Sequence, residues 1–437
     1  MLKKRSGSGG SPRSSRSSAD RKDYPDFHDL DVTCCPDMRL AFALIAATCA
    51  ALSPVIIVPG DGSNQLEAKL VDKPATPHWY CSKNADWYRI WLDATDLVAT
   101  TDCWSDNIKL ALNGSASRNM PGVSTRVPSF GSTEGFEELD PAIPFKGSAA
   151  FSAMVEALVK EGYERNSTLR GAPYDFRYTP EVDLSSVGDE TPAFTSTYVA
   201  ALKALVEETV DAQGLRAVLI SHSMGGLQTL YFLNAMTDAW KETHVDKWIM
   251  ISAPLAGAAK ELQLFASGNA DGLPISSQSV REEQRTYETN HWLYPTTGYA
   301  ASPWDDVGAV VRTDAKNYTV ADYASFFADV GFPEGVAVHE RVLSLIPDPA
   351  SAPGVAVECI YSTGVDTPFT FYYAGGDFDA DPVVTMGDGD GTVNVDSLRV
   401  CEKWAGATVT TFVGVDHSDM IMNATVVAAV VSSVLKT

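Results

Sequence analysis

Residue types that can together perform nucleophilic catalysis stand in short loops of this sequence. They are a serine, Ser223, a histidine, His417, and two candidate carboxylates, Asp388 and Asp390. A histidine with a pKa near neutrality can accept the proton of a serine hydroxyl and return it to a leaving group. A carboxylate can orient that imidazole and stabilise its charged form. The set therefore predicts catalysis through a serine nucleophile.

Ser223 stands where a predicted strand turns abruptly into a predicted helix. The apolar run 217–220 predicts a buried strand, and residues 227–236 have helical spacing. A serine at the apex of such a turn is the nucleophile elbow of an α/β-hydrolase, with an ordinary strand-to-helix loop as the alternative. The usual pattern is G-x-S-x-G, and here Ser221 replaces the first glycine, where a small residue suffices. Adjacent residues on a tight turn point different ways, so His222 is predicted to be structural or substrate-facing.

A glycine-rich loop follows the first apolar strand. Residues 54–58 predict a fully buried strand, and the loop from Gly60 to Leu66 comes directly after it. In α/β-hydrolases a loop in this position supplies a backbone amide to the oxyanion hole. A plain turn is the alternative, but a position at least one crossover before the nucleophile favours the functional interpretation.

The candidate base and acid follow later strands of the chain. The sequence predicts further buried strands at 247–252, 355–362 and 407–413. His417 comes after the last of them, which agrees with the order Ser, acid, His in this fold. The acid is then expected upstream, where Asp388 and Asp390 both stand on a glycine-rich turn. This turn also resembles the start of a calcium-binding EF-hand, but Val393 and Arg399 occupy the positions that need Gly and Glu.

Length and composition are those of a large globular domain that carries insertions. The 437 residues are 45% hydrophobic, and the net charge of -23 argues against nucleic acid as a partner. Residues 1–37 lack the apolar content to fold and are predicted to be a disordered or artefactual N-terminal extension. Residues 38–53 have the layout of a signal peptide, with a signal anchor as the alternative. The α/β-hydrolase domain is expected at 54–437.

Two segments interrupt the predicted sheet. The segment at about 75–112 contains many aromatic residues, which form either a local core or a surface that docks onto lipid. The segment at about 257–354 is too long for a connection that typically has ~2–6 residues. It therefore predicts a cap domain with mobile loops over the active site.

Entry into the secretory pathway determines how the cysteines are interpreted. Four cysteines follow the signal peptide, and of three possible pairings the simplest joins neighbours: Cys81 with Cys103 and Cys359 with Cys401. Glycosylation sequons stand at Asn113, Asn166, Asn317 and Asn423. No Cys-x-x-Cys motif or Cys/His cluster indicates a metal site, and no cofactor is expected.

Taken together, these motifs resemble the lecithin-cholesterol acyltransferase and lysosomal phospholipase A2 family. The resemblance is collinear from about Pro54 to the end and is closer to the phospholipase branch. It is carried by Pro59-Gly-Asp-Gly-Ser-Asn64-Gln-Leu-Glu-Ala-Lys-Leu70, Ile90-Trp-Leu92, Asp106-Asn-Ile108, Arg170-Gly-Ala-Pro-Tyr-Asp175, the Ser223 loop, Gly387-Asp-Gly-Asp-Gly-Thr-Val-Asn394 and His417.

The resemblance implies roles for individual residues. It assigns the nucleophile to Ser223, the acid to Asp390, the base to His417, the oxyanion-hole amides to Asp61 and Met224, and the lid disulfide to Cys81 and Cys103. Two departures concern acyl-chain preference more than activity. Gly62-Ser63 replaces a Leu-Gly pair, and Phe176 stands where the family usually has Trp.

The implied function is that of a lipid acyl hydrolase and transacylase, which cleaves a fatty-acyl ester of glycerophospholipids through an acyl-serine. Its expected partners are a phospholipid membrane or lipoprotein surface, bound peripherally, and a lipid alcohol acceptor. Its expected location is a lysosome, a vacuole or the extracellular space. The alternatives are an acyltransferase whose main acceptor is a sterol or diacylglycerol, and a non-catalytic lipid-binding paralogue.

Overall fold

The computed structural model describes residues 52–143, 150–270, 275–297, 302–345, 348 and 351–436. The predicted extension 1–37 lies outside these residues, as does nearly all of the predicted signal peptide 38–53. The strands of the described part are β1 Val55–Val58, β2 Leu66–Leu70, β3 Ala85–Trp91, β4 Leu110–Asn113, β5 Ala116–Asn119, β6 Val123–Arg126, β7 Leu169–Gly171, β8 Ala217–His222, β9 Val245–Ile251, β10 Val311–Thr313, β11 Asn317–Tyr318, β12 Ala356–Thr363, β13 Val365–Tyr373, β14 Val383–Gly389 and β15 Thr408–Val413.

Helices connect and cover these strands. The α-helices are α1 Ala94–Ala99, α2 Thr101–Ile108, α3 Glu134–Glu137, α4 Ser152–Lys160, α5 Tyr198–Gln213, α6 Met224–Ala235, α7 Asp238–His244, α8 Lys260–Ala266, α9 Ser277–Gln284, α10 Glu288–Trp292, α11 Tyr323–Asp329, α12 Gly335–Leu343, α13 Val395–Leu398 and α14 Ala424–Val434. Short 3-10 helices occur at Leu184–Ser186, Ala374–Gly376, Arg399–Lys403 and His417–Ile421. In the part of the chain that the structure covers, no helix combines the length and apolar character that crossing a bilayer requires.

The apolar runs of the sequence form one six-stranded central sheet in the order β15-β12-β9-β8-β1-β7. Every neighbouring pair is parallel. Strand β1 is buried along its whole length, as expected for a central strand covered on both faces. The chain adds β7 on one side of β1 and later strands on the other, so the loops after β1 and β8 meet at one edge of the sheet. The predicted α/β-hydrolase fold is confirmed.

Helix α5 illustrates how local sequence sets the boundaries of these elements. It begins after Thr197, whose side chain accepts a hydrogen bond from the amide of Ala200, and it ends at Gly214, which has a φ of 69°. Such an N-cap typically contributes ~1 kcal/mol. The apolar side chains of this helix lie three and four residues apart and are buried, which directs the chain into β8.

A second sheet, in the order β11-β10-β13-β14, lies partly within the predicted cap segment. Strands β10 and β11 belong to the segment 257–354, whereas β13 and β14 follow it in the chain. Helices α8 to α12 complete the cap. Buried side chains of these helices and of the loops between them form an aromatic cluster, which comprises Phe265, His291, Tyr294, Tyr323, Phe327, Phe332 and His339.

The predicted segment at 75–112, which we call the lid segment, contains β3, α1 and α2. A disulfide joins Cys81 to Cys103 across it, and a second disulfide joins Cys359 to Cys401. Both pairings agree with the prediction from sequence. Part of the lid segment is core, since Trp104 is buried and its indole donates a hydrogen bond to the carbonyl of Ile90 at 2.8 Å.

Candidate active site

Ser223 lies between β8 and α6 in a backbone conformation that is unusual for a residue other than glycine. Its φ is 55° and its ψ is -132°. Its amide donates a hydrogen bond to the carbonyl of Ile251 at 2.9 Å, and its carbonyl accepts one from the amide of Gly226 at 2.8 Å. These bonds hold a strained turn of the kind found at functional sites. They place the hydroxyl at the carboxyl edge of the sheet.

The two glycines after Ser223 are required by close backbone approach. A Cβ atom on Gly225 would lie 2.3 Å from the carbonyl oxygen of Pro59, and one on Gly226 would lie 2.4 Å from the Cβ of Ala253. On the facing loop, a Cβ on Gly60 would lie 2.8 Å from the Cβ of Ser223. The elbow and the loop after β1 are therefore packed directly against each other.

Ser221, which replaces the first glycine of the usual pattern, is fully buried. Its hydroxyl accepts a hydrogen bond from the indole nitrogen of Trp248 on β9 at 2.8 Å. The residue therefore fits the tight turn and also fixes a large side chain of the neighbouring strand. Sequence reasoning did not find this second role, because the partner belongs to a different strand.

A chain of two hydrogen bonds joins three predicted site residues. The Nε2 atom of His417 lies 2.9 Å from the Oγ atom of Ser223. On the other side of the ring, Nδ1 lies 2.8 Å from Oδ2 of Asp390. The second candidate acid, Asp388, is exposed and accepts a hydrogen bond from the amide of Gly364 at 2.6 Å. The structure thus brings Asp390, and not Asp388, to the histidine.

The loop around Asp390 is built to hold an ionised carboxylate. Burial by itself favours the neutral acid, but the charge and hydrogen bond of His417 and the amides of Val393 and Thr392 lower the pKa of Asp390 below its usual value. The Val393 amide lies 2.8 Å from Oδ1. The main chain adds a further link, since the amide of His417 donates to the carbonyl of Asp390 at 2.7 Å. Acid and base are therefore fixed by both side chain and backbone.

His222 supports the site from behind. Its Nε2 atom lies 3.0 Å from the carbonyl oxygen of His417, and the two ring centroids are 4.8 Å apart. Burial, followed by the proximity of His417, lowers the pKa of His222 to about 3. A neutral ring that donates to a carbonyl is structural, which agrees with one of the two predicted roles.

The loop after β1 carries Asp61 next to this elbow. Met224 is the first residue of α6 and follows Ser223 directly. The loop is anchored on both sides: the Tyr174 hydroxyl donates to the carbonyl of Pro59 at 3.0 Å, and the Trp91 indole donates to the carbonyl of Gly62 at 2.6 Å. The Gly62 position, one of the two departures from the family pattern, thus contacts the lid segment.

A cavity of about 180 Å³ opens beside this loop. Phe176, the other departure, contacts Trp91 with ring centroids 5.8 Å apart and Tyr287 with centroids 6.2 Å apart. Loop, lid segment and cap all contribute lining residues, among them Asp61, Gly62, Trp91, Trp104, Phe176 and Glu283. No triad residue lies in the wall of this cavity or in the walls of three larger ones, of about 780, 730 and 340 Å³, but this cavity is the one of the four that reaches Asp61.

A buried ion pair positions the segment that carries Phe176. The guanidinium of Arg177 lies 2.6 Å from Oδ2 of Asp175, and both side chains are fully inaccessible to solvent. Arg177 also donates to the carbonyl of Ile108 at 2.7 Å, at the end of the lid segment. This pair therefore links the lid segment to the segment after β7.

Two aromatic side chains project from the lid segment. Trp79 is 94% exposed and Tyr80 is 54% exposed, next to the disulfide at Cys81. Trp87, by contrast, is partly covered by Arg126, whose guanidinium carbon lies 4.3 Å from the ring centroid. The lid segment therefore contains both a local core and an exposed aromatic tip.

The sequons differ in accessibility. Asn113, Asn166 and Asn317 are exposed, whereas Asn423 is half-buried and its side-chain oxygen caps α14.

In the ranges that the structure describes, no group of three or more His, Cys, Asp or Glu side chains could hold a metal ion.

Comparison with known proteins gives the family. The lecithin:cholesterol acyltransferase family model matches residues 87–346 and 344–428. The lysosomal phospholipase A and acyltransferase of Canis lupus familiaris is 39% identical over 401 residues, which cover 89% of this chain and 93% of the relative. A lecithin-cholesterol acyltransferase-like protein of Arabidopsis thaliana is 38% identical, with 84% and 86% covered. The phosphatidylcholine-sterol acyltransferase of Gallus gallus is 38% identical, with 85% and 87% covered. The chain therefore belongs to the lecithin:cholesterol acyltransferase family, as its motifs predicted.

Proposed function

We propose that this chain cleaves fatty-acyl esters of glycerophospholipids and transfers the acyl group to water or to a lipid alcohol. The observation that carries the proposal is the hydrogen-bonded series from Ser223 through His417 to Asp390. The names of the relatives, which include phospholipase A and acyltransferase, support the lipid ester as substrate. The non-catalytic alternative is disfavoured because the described site retains a nucleophile, a base and an acid within hydrogen-bonding distance.

In the first half of the reaction, Ser223 attacks the carbonyl carbon of the ester. His417 takes the hydroxyl proton through Nε2 and later gives it to the leaving alcohol. Asp390 keeps the proton of the imidazole on Nδ1 and stabilises the imidazolium. The amides of Asp61 and Met224 bind the oxyanion, and such a donor typically contributes ~10²–10³-fold in rate. The products are a lysophospholipid and an acyl-Ser223.

In the second half, an acceptor hydroxyl attacks the acyl-serine. His417 removes the proton from water or from a lipid alcohol, and the Ser223 oxygen leaves and recovers that proton. Water gives a free fatty acid, whereas an alcohol gives a new ester. Because the same intermediate serves both outcomes, the acceptor determines whether the enzyme acts as hydrolase or transacylase.

The substitution Ser223→Ala tests this assignment. We expect it to abolish fatty-acid release from phosphatidylcholine vesicles and labelling by a fluorophosphonate probe, because both need the hydroxyl. The exposed Ser418, next to His417, provides a matched control, and Ser418→Ala should retain both. Undiminished release by Ser223→Ala would overturn the mechanism.

We further propose that the exposed tip of the lid segment docks peripherally onto a phospholipid surface. Large amphipathic rings suit the membrane interface, and Trp79 has nearly its whole surface free to enter it. Trp79→Ser should weaken sedimentation with phosphatidylcholine vesicles while leaving hydrolysis of a soluble short-chain ester unchanged. Val383→Ser, on β14, is the control for loss of an exposed apolar side chain. Equal vesicle binding by wild type and Trp79→Ser would contradict the docking.

The sequons and disulfides support a proposal for the location of the protein. We infer passage through the secretory pathway to a lysosome or vacuole or to the exterior, with glycans on the exposed Asn113, Asn166 and Asn317 and also on Asn423. The exposed positions leave room for a glycan. Expression in a eukaryotic secretory host followed by N-glycosidase treatment should lower the apparent mass, and an unchanged mass would refute the modification.

A further inference from the structure

A buried carboxyl group lies in the wall of the cavity beside the oxyanion loop. Glu283, near the end of α9, is 2% exposed and lines this cavity together with Asp61 and Trp91. The mechanism proposed above does not use it. The cavity begins at the oxyanion loop, so a lipid bound at the active site could contact Glu283.

One oxygen of this carboxyl has no partner in the part of the chain that the structure describes. Among the described residues, no hydrogen-bond donor or acceptor reaches Oε2 of Glu283, although the atom is buried. The Tyr287 hydroxyl forms a hydrogen bond with the carboxyl. A buried polar atom in a native site normally finds a partner, so Oε2 is free to meet one from a ligand.

The surroundings of Glu283 keep it in its acid form. Burial raises its pKa to about 8, and the nearby charge of Asp61 acts in the same direction, while Tyr287 and Arg177 act in the opposite one. Among the described residues that line the cavity, Asp61 and Glu283 have charged side chains. At neutral and acid pH the group is thus a carboxylic acid with a proton that it can donate.

The size and walls of the cavity restrict what it can hold. The volume of about 180 Å³ is small beside the ~300–1,000 Å³ of a pocket that encloses a drug-sized ligand. This is too small for a whole fatty-acyl chain. Aromatic walls with a few convergent polar groups are typical of a site that orients one short part of a ligand. Next to a scissile ester, that part is the glycerol backbone of the donor lipid or the head of the acceptor alcohol.

We propose that Glu283 is a specificity-determining residue that donates a hydrogen bond to an uncharged oxygen of the bound lipid adjacent to the scissile ester. This inference rests on the proposed function. Two groups of the lipid substrates can supply such an oxygen. One is the carbonyl of the second ester in a diacyl phospholipid, and the other is a second hydroxyl of the acceptor alcohol. A lipid without that oxygen leaves the buried donor unpaired, which in such sites typically costs ~5- to 100-fold in kcat/KM.

Two variants and two substrate pairs test the proposal. Glu283→Gln keeps a donor of similar shape, and Glu283→Met removes it while filling the space. The first pair compares release of the 2-acyl chain from 1,2-diacyl and 1-O-alkyl-2-acyl phosphatidylcholine in vesicles. The second compares acyl transfer to a long-chain 1,2-diol and to the primary alcohol of equal length. Taking the ratio within each pair cancels the pH dependence of the catalytic residues.

In at least one pair, we expect the wild type to favour the substrate that carries the additional oxygen. The pair that shows this preference identifies which lipid group accepts the hydrogen bond. Glu283→Met should lose that preference, and Glu283→Gln should retain it. The preference of the wild type should also decline as pH rises through about 8, because ionisation removes the donor, whereas that of Glu283→Gln should stay constant.

Several outcomes would overturn the inference. An active Glu283→Met enzyme with both ratios unchanged would show that the carboxyl contacts neither oxygen. If that variant fails to fold, as judged by thermal melting, the pH series of wild type and Glu283→Gln decides, and a wild-type preference independent of pH rejects the proposal. Failure of the proposed function would look different, because the wild type would then cleave no ester in either pair.

Discussion

The buried histidine His339 links the stability of the cap to pH. It lies on α12 within the aromatic cluster, with its ring centroid 5.1 Å from that of Tyr323 and 5.5 Å from that of Phe327. Burial lowers its pKa from 6.5 to about 4. The ring is therefore neutral in the folded protein at pH values where an exposed histidine takes up a proton.

The sign and size of the effect follow from this shift. Between pH 6.5 and about 4 the unfolded chain binds a proton at His339 and the folded chain does not. The contribution of the neutral His339 ring to the free energy of unfolding is thus complete above pH 6.5. It is lost as the pH falls from 6.5 through the folded-state pKa of about 4. A pKa lowered from 6.5 to about 4 corresponds to a loss of about 3 kcal/mol in the free energy of unfolding. His291, also buried in the cluster, has its pKa lowered by burial and contributes with the same sign.

The substitution His339→Phe removes the titration and keeps an aromatic ring. When the pH is lowered from 7.5 to 4, the free energy of unfolding of the variant should rise by about 3 kcal/mol relative to that of the wild type. Urea unfolding followed by tryptophan fluorescence at a series of pH values measures it. Val342→Ala, on the same helix and equally buried, is the matched control and should lower stability by the same amount at every pH. A His339→Phe difference that is independent of pH would refute the reasoning.

Two further substitutions probe the catalytic loops. Asp390→Asn should lower kcat on phosphatidylcholine by roughly 10³–10⁴-fold, because the amide no longer fixes the tautomer of His417, whereas Asp388→Asn should leave kcat nearly unchanged. Steady-state kinetics of both variants decide between the two carboxylates, and equal losses would contradict the geometry. Gly225→Ala should lower both the Tm and the activity, because its Cβ would lie 2.3 Å from the Pro59 oxygen. Calorimetry and the same assay check this, and a wild-type Tm would show that the elbow can relax.

The elements that position the site were predictable because they are buried on all sides. Continuous apolar runs produced β1, β8 and β9 near the predicted places, and the triad order in this fold directed attention to the loops after later strands. Choosing between Asp388 and Asp390 needed the family resemblance. Their spacing along the chain does not reveal that β14 ends at Gly389, so that Asp388 stays in the strand and Asp390 lies in the loop that reaches His417.

Glu283 could not be found in this way. The stretch Arg281-Glu-Glu-Gln284 has the composition of a solvated helix face, so its pattern alone predicts exposure. Burial arises because α9 packs against α2 of the lid segment, which lies far away in the chain. A link of this kind is also seen in the hydrogen bond from the Leu110 amide to the Thr286 hydroxyl at 2.9 Å. Such contacts between insertions leave no periodic signal in the sequence.

The disulfide between Cys359 and Cys401 affects how well the active site tolerates a reducing environment. The bridge closes a loop of 42 residues that contains Asp390, and His417 follows shortly after its end. Closing a loop of that length restricts the unfolded chain by about 4 kcal/mol. A reducing environment would therefore lower the free energy of unfolding of the whole fold by about that amount. Thiols should thus inactivate the enzyme by favouring the unfolded chain, in which the acid, the base and the nucleophile all separate.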